Sequence, residues 1–77
     1  MYEFENLDLF NELNDLIGEL SSKYDIYDDE FNADLRRYID LVDSIESGNI
    51  SEREYSQIDD EDYLKSLIAI AKQELSK

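Results

Sequence analysis

Apolar residues recur along this chain at the spacing of an α-helix. Leu9, Phe10, Leu13, Leu16, Ile17 and Leu20 follow steps of three and four, which gathers them into one wide stripe and predicts a helix over 6–22. Asn6 suits the N-cap position, Asp8 the positive end of the helix dipole, and Ser21, Ser22 and Lys23 the closing turn. Phe31, Leu35, Tyr38, Ile39, Val42 and Ile45 repeat the pattern. They are preceded by Asp28, Asp29 and Glu30 and followed by Gly48, so a second helix is predicted over 29–47. Tyr24, Asp25, Ile26 and Tyr27 between them read as a connecting loop with Ile26 turned inward. Ser51 and Glu54 stand in capping-box spacing and open a short helical segment, 52–57. The last pattern begins with the acids Asp59, Asp60, Glu61 and Asp62 and continues through Tyr63, Leu64, Leu67, Ile68, Ala69, Ile70, Ala71 and Leu75. It predicts a helix over 60–76, with Lys72 and Lys77 near its negative end.

These elements define an all-α domain spanning residues 1–77, a small bundle of three main helices plus a short helical turn. There is no proline, and no repeat aligns within the chain. At 77 residues folding hides only about 60–65% of the unfolded chain's surface, so the core is thin. The run from Leu67 to Ala71 is apolar around most of the helix circumference, as in a helix covered on more than one side. Two arrangements satisfy it: a fully internal helix of a monomer, or a homodimer with Tyr63, Leu67 and Ile70 as contacts. The thinness of the core favours the dimer.

Charge changes the picture. The formal net charge is −14, beyond the magnitude of about 2–8 that solubility asks of a small domain, and it opposes compaction by self-repulsion. The chain is nevertheless no disordered tail. Ten Leu, eight Ile, one Val and three Phe make 22 of 77 residues, above the roughly 20% below which highly charged chains stay unfolded. Cysteine is absent, which removes disulfides and thiolate chemistry. The N-terminal residues Met1, Tyr2, Glu3, Phe4 and Glu5 carry no basic region or long apolar run, and no stretch approaches a membrane span. A cytoplasmic protein is the expectation.

The acids are not evenly placed. Asp8, Glu12, Asp15 and Glu19 form a ridge along the first helix, and no basic residue lies in the first 22. Like charges at such spacing repel by a few tenths of a kcal/mol per pair, so helix economy did not put them there. The ridge offers a carboxylate about every 5.5 Å, whereas one strand of duplex DNA offers a phosphate every 3.4 Å or so. Two ridges, from two helices or two subunits, approach that density. The second helix differs, because Arg36 and Arg37 stand at pairing distance from Asp40 and Asp34. Further acids gather at Asp25, Asp28 and Asp29 in the loop and at Asp59, Asp60, Glu61 and Asp62 before the last helix. A field so polarised speeds encounter with a basic partner and makes binding fall with salt. The competing reading is a solvated face, with residues 59–62 serving only as a helix cap; adaptation to a salt-rich cytoplasm fits the composition less well. Tyr24, Tyr27, Tyr55 and Tyr63 each lie beside an acid and offer rigid amphipathic contact area, while Tyr38 falls on an apolar stripe.

With neither His nor Cys, the usual general bases, thiol nucleophiles and zinc ligands are missing. A carboxylate pair needs a pocket to raise one pKa, which a helical chain this short rarely builds, so no enzymatic activity and no cofactor is expected. The segments 25–30 and 59–64 lack calcium-loop form, since Glu30 and Leu64 occupy the place of the required glycine. Direct nucleic-acid binding is disfavoured because phosphates would meet like charge.

In size, charge and helical content over its whole length the chain resembles the small acidic inhibitors made by bacteriophages and mobile elements, which block host nucleases, polymerases, glycosylases or the ring-shaped sliding clamp. The resemblance implies a DNA mimic whose carboxylates occupy the basic channel or groove of a host DNA-handling protein in the bacterial cytoplasm. Asp8, Glu12, Asp15, Glu19, Asp25, Asp28, Asp29, Asp59, Asp60, Glu61 and Asp62 are the partner-binding candidates. The chain is similar in the same respects to small helical immunity proteins, which would use the same acids to cap a basic nuclease toxin, as an antitoxin would. A third reading is a helical adaptor that docks through apolar residues of the last helix, with an affinity indifferent to salt.

Overall fold

The computed structural model of the protein describes residues 4–77; residues 1–3, where the N-terminal reading begins, lie outside the described residues. Four helices follow one another: α1 (Leu7–Lys23), α2 (Ala33–Ser47), α3 (Glu52–Ile58) and α4 (Glu61–Leu75). The all-helical architecture expected from periodicity is present, with each main helix within a few residues of its predicted bounds.

The largest difference is the start of α2, four residues later than predicted. Residues 29–32 belong to the loop, because Asn32 is the true cap: its side-chain oxygen accepts from the amides of Asp34 and Leu35. Upstream, Asp25 accepts from the Tyr27 amide at 3.0 Å and Asp28 from the Glu30 amide at 2.8 Å. Such short-range carboxylate bonds offer the backbone an alternative to the helical ladder. At the other end of α2, Gly48 has φ +77° and its N–H reaches back to Ile45 and Ser44, a left-handed C-cap suited to glycine. The capping box at Ser51 and Glu54 forms as its spacing predicts, with both reciprocal bonds present.

The core is built from one face of each helix. Leu13 and Leu20 of α1, Leu35 and Tyr38 of α2, Ile58 of α3, and Leu64, Leu67, Ile68 and Ala71 of α4 are buried. Each fully buried Leu or Ile contributes about 1.5–3 kcal/mol of transfer free energy. Helix α4 touches all three other helices, α1 most extensively. Within its apolar run Leu67, Ile68 and Ala71 are buried in the single chain, Ile70 is half-buried and Ala69 is exposed. Of the three residues expected as dimer contacts, Leu67 lies buried in the core of the single chain, while Tyr63 and Ile70 are partly buried and pack against that core.

Helices α1 and α4 run parallel, and a charge holds each end of the pair. At the N-terminal end, the buried Asp59 accepts from the amides of Glu5 at 2.8 Å and Asn6 at 2.9 Å, and the Asn6 side chain donates to the Asp59 carbonyl at 3.1 Å. At the C-terminal end, Lys23 Nζ donates to the carbonyls of Leu75 and Lys77, both at 3.0 Å. Parallel helices align their dipoles unfavourably, and here a carboxylate sits at the positive end of α1 and an ammonium at the negative end of α4, where each is stabilising. Asn6 occupies the N-cap position of α1, but its side chain makes no capping bond. The Asn6 side chain donates instead to Asp59, 53 residues away in sequence.

Candidate functional site

The ridge on α1 survives folding as an exposed surface. Its four carboxylates, Asp8, Glu12, Asp15 and Glu19, are all exposed, about a third of a turn from the centre of the stripe that enters the core. The neighbouring edge of α4 carries two lysines. Lys72 approaches Glu12 to 3.6 Å, and Lys65 is held by Glu61 at 3.4 Å within its own helix. Both pairs are well exposed, so each is worth about 1 kcal/mol or less. Asp8, Asp15 and Glu19 enter no ion pair among the described residues. Because Asp59 and Lys23 fix both ends of α1 on α4, the ridge is presented on a rigid element. The molecule measures 37 × 21 × 16 Å, an elongated form with the ridge along a long helix.

The other two acid groups fare differently. In the run 59–62, Asp59, expected among the partner-binding acids, is largely buried at the α1–α4 junction. Asp60 caps α4, accepting from the Tyr63 amide at 2.9 Å, and Glu61 pairs with Lys65. Asp62 is exposed, and its side chain enters no ion pair among the described residues. In the α1–α2 loop, Asp25 and Asp28 are exposed while each also closes a local turn, and Asp29 is exposed. Tyr24, Phe31, Asp25, Asp28, Glu30 and Glu74 line a cleft of about 320 Å³ between this loop and the end of α4. The structure therefore places the ridge, the loop acids and Asp62 on the surface, and it assigns Asp59 to the interior.

The tyrosines divide as well. Tyr38 is buried, with its hydroxyl donating to Asn14 Oδ1 at 2.7 Å and its ring edge-on to Phe10. Burial, assisted by neighbouring Tyr63, raises its hydroxyl pKa far above the usual tyrosine value. Tyr63 has a buried hydroxyl without a partner among the described residues; burial pushes its pKa up, with Arg37 opposing and Asp34 adding to the rise. Tyr27 is exposed, and the Arg36 guanidinium lies 4.7 Å from its ring centre while pairing with Asp40. Arg37 and Asp34, also at pairing distance in sequence, form no ion pair within 4 Å among the described residues.

Sequence reasoning missed the tertiary roles of Asp59 and Lys23 and the lysine edge of α4. The edge was readable, since Lys65 and Lys72 are seven residues apart and share one side of a helix. The two end clamps join residues more than 50 positions apart and left no local signal. Among the described residues no cluster of three or more carboxylates converges as a metal site, and no helix is long and apolar enough to cross a membrane. Comparison with protein-family models, curated proteins and solved structures finds no match.

Proposed function

We propose that the protein is a DNA mimic that occupies the basic channel or groove of a DNA-handling protein, such as a sliding clamp, polymerase or nuclease, and blocks access of DNA. The observation that carries this reading is the exposed carboxylate ridge of α1, in which Asp8, Asp15 and Glu19 remain without intramolecular ion pairs among the described residues. The ridge is held at both ends by tertiary bonds. A preorganised charge array loses little conformational freedom on binding, so more of its electrostatic attraction appears as affinity. Asp62 and the loop acids Asp25, Asp28 and Asp29 extend the same negative field, whereas the largely buried Asp59 is engaged by the amides of Glu5 and Asn6.

The test is displacement of a fluorescently labelled duplex from purified bacterial DNA-handling proteins at low salt. Displacement by the native chain, lost when Asp8, Asp15 and Glu19 are changed together to Asn, Asn and Gln, is the expected result. Removal of three like charges relieves repulsion, so helical content should be unchanged or higher in that variant. Displacement by native chain and variant alike would remove α1 from the site, and failure to displace DNA from any such protein would end the proposal.

A further inference from the structure

We infer that the cavity at which α2 and α3 meet α4 is a binding site for a small zwitterion, an α-amino acid with a branched aliphatic side chain. It measures about 210 Å³, and its lining includes Asp34 and Arg37 of α2, Gln57 of α3, and Tyr63, Leu67 and Ile70 of α4. That volume lies below the roughly 300–1,000 Å³ of sites that take drug-sized ligands, so the occupant is small. An apolar wall and a few convergent polar groups meet in it, which is the combination a ligand site needs. None of these residues belongs to the α1 ridge, and the inference does not rest on the DNA-mimic reading.

Two features of the lining are left unsatisfied by the fold itself. The Tyr63 hydroxyl is buried without a hydrogen-bond partner among the described residues, although an unpaired buried polar group is costly. Asp34 and Arg37 stand about one turn apart on α2, at a spacing that favours an ion pair, yet none within 4 Å joins them among the described residues. Their neighbours Arg36 and Asp40 do close such a pair. Arg37 and Asp34 both act on the Tyr63 hydroxyl, the first lowering and the second raising its pKa, so the three groups converge on one place. Burial dominates and keeps that hydroxyl protonated, hence a donor, at neutral pH. A carboxylate and an ammonium on one carbon fit this arrangement. The Arg37 guanidinium takes the carboxylate through its fork of donors, Asp34 takes the ammonium, and Tyr63 donates to a carboxylate oxygen. Leu67 and Ile70 receive the hydrocarbon branch. Charge selects the same class of ligand: Asp34 and Arg37 cancel within the lining, whereas the whole chain carries −14. A free anion is repelled by that field and a free cation is drawn to every exposed acid; a molecule bearing both charges gains from this pair in particular.

Asp34 and Arg37 are exposed, so their contacts are screened by water and the affinity is low, with a Kd in about the millimolar range. Titration of isotope-labelled chain with L-leucine to about 20 mM, several times that Kd, followed by NMR, tests the site. The expected result is saturable shifts at the Tyr63 amide and the Ile70 methyls, with the α1 ridge silent. N-acetyl-leucine, which lacks the ammonium, and leucinamide, which lacks the carboxylate, should each bind several-fold more weakly than leucine. Arg37→Gln and Asp34→Asn should each weaken leucine binding several-fold while leaving the rest of the spectrum native, because both side chains are exposed. Tyr63→Phe separates a ligand contact from a structural role. The hydroxyl makes no bond within the fold, so the melting temperature should hold or rise while leucine affinity falls about fivefold. Absence of saturable shifts, shifts at the loop and ridge acids instead of Tyr63 and Ile70, equal affinity for leucinamide and leucine, or an affinity untouched by Arg37→Gln and Asp34→Asn would overturn the proposal. Displacement of duplex DNA is read without amino acid and through other residues, so either result can fail without the other.

Discussion

Replacing Asp59 with alanine tests the end clamp that joins the first and last helices. The carboxylate accepts two backbone amides, from Glu5 and Asn6 at 2.8 and 2.9 Å, in a residue only 9% exposed. Hydrogen bonds to a charged group contribute about 1.5–3 kcal/mol each. The site is partly buried, so water can reach the freed amides in part, and the lower end of that range applies to each. Loss of a carboxylate from the positive end of α1 adds about 0.3–1 kcal/mol, for a total of roughly 3–4 kcal/mol. A chain of this size is stabilised by roughly 4–12 kcal/mol in all, so Asp59→Ala removes a large share. At about 4–8 °C per kcal/mol, the melting temperature should fall by roughly 12–30 °C, measured by circular dichroism at neutral pH. Asp62→Ala, an exposed acid two residues beyond the cap, should shift stability by about 0.5 kcal/mol or less. Equal, small effects of the two variants would refute the view that Asp59 has a structural task distinct from its acidic neighbours.

Other consequences follow from the same contacts. Tyr38 is protonated more strongly in the folded chain than in the unfolded one, so the native state holds its proton above the unfolded pKa of about 10; stability is constant below that pH and should decline above it, by about 1.4 kcal/mol per pH unit for one such group. Urea unfolding between pH 9 and 11 should show that decline, and Tyr38→Phe should flatten it while lowering stability at neutral pH by about 1 kcal/mol through the lost bond to Asn14. The two glycines should respond with opposite signs: Gly48→Ala should cost about 1 kcal/mol at its φ of +77°, and Gly18→Ala should gain about 0.5–1 kcal/mol at an open helical site, both by thermal unfolding. Lys23→Met removes the ammonium from the carbonyls of Leu75 and Lys77 and should cost about 0.3–1 kcal/mol, with faster amide exchange confined to the end of α4.

The helices were legible because their apolar positions keep one period, and local signals settled the ends at Ser51 and Gly48, where the capping partner is a near neighbour. The start of α2 was misplaced because three acids before Phe31 look like a dipole-matched first turn, while Asp25 and Asp28 in fact close turns of their own and Asn32 caps the helix. The roles within Asp59, Asp60, Glu61 and Asp62 were illegible for a different reason. Four adjacent acids read as one cluster; the Asp60 cap and the Glu61–Lys65 pair are local, but only tertiary placement turns Asp59 into the core. The apolar run at Leu67 to Ala71 reads as a helix covered on more than one side; in the structure Leu67, Ile68 and Ala71 are buried while Ala69 stays exposed, so a small apolar side chain on the outer face made the run look broader than its buried face.

The most direct measurement of the central claim is the salt dependence of affinity for a basic DNA-handling protein, compared between the native chain and the Asp8→Asn, Asp15→Asn, Glu19→Gln variant by isothermal calorimetry. A ridge that replaces phosphates predicts an affinity that falls linearly with salt on logarithmic axes, with a clearly shallower slope and weaker binding in the variant. Equal slopes for the two proteins, or a native complex as tight in molar sodium chloride as in dilute buffer, would contradict it.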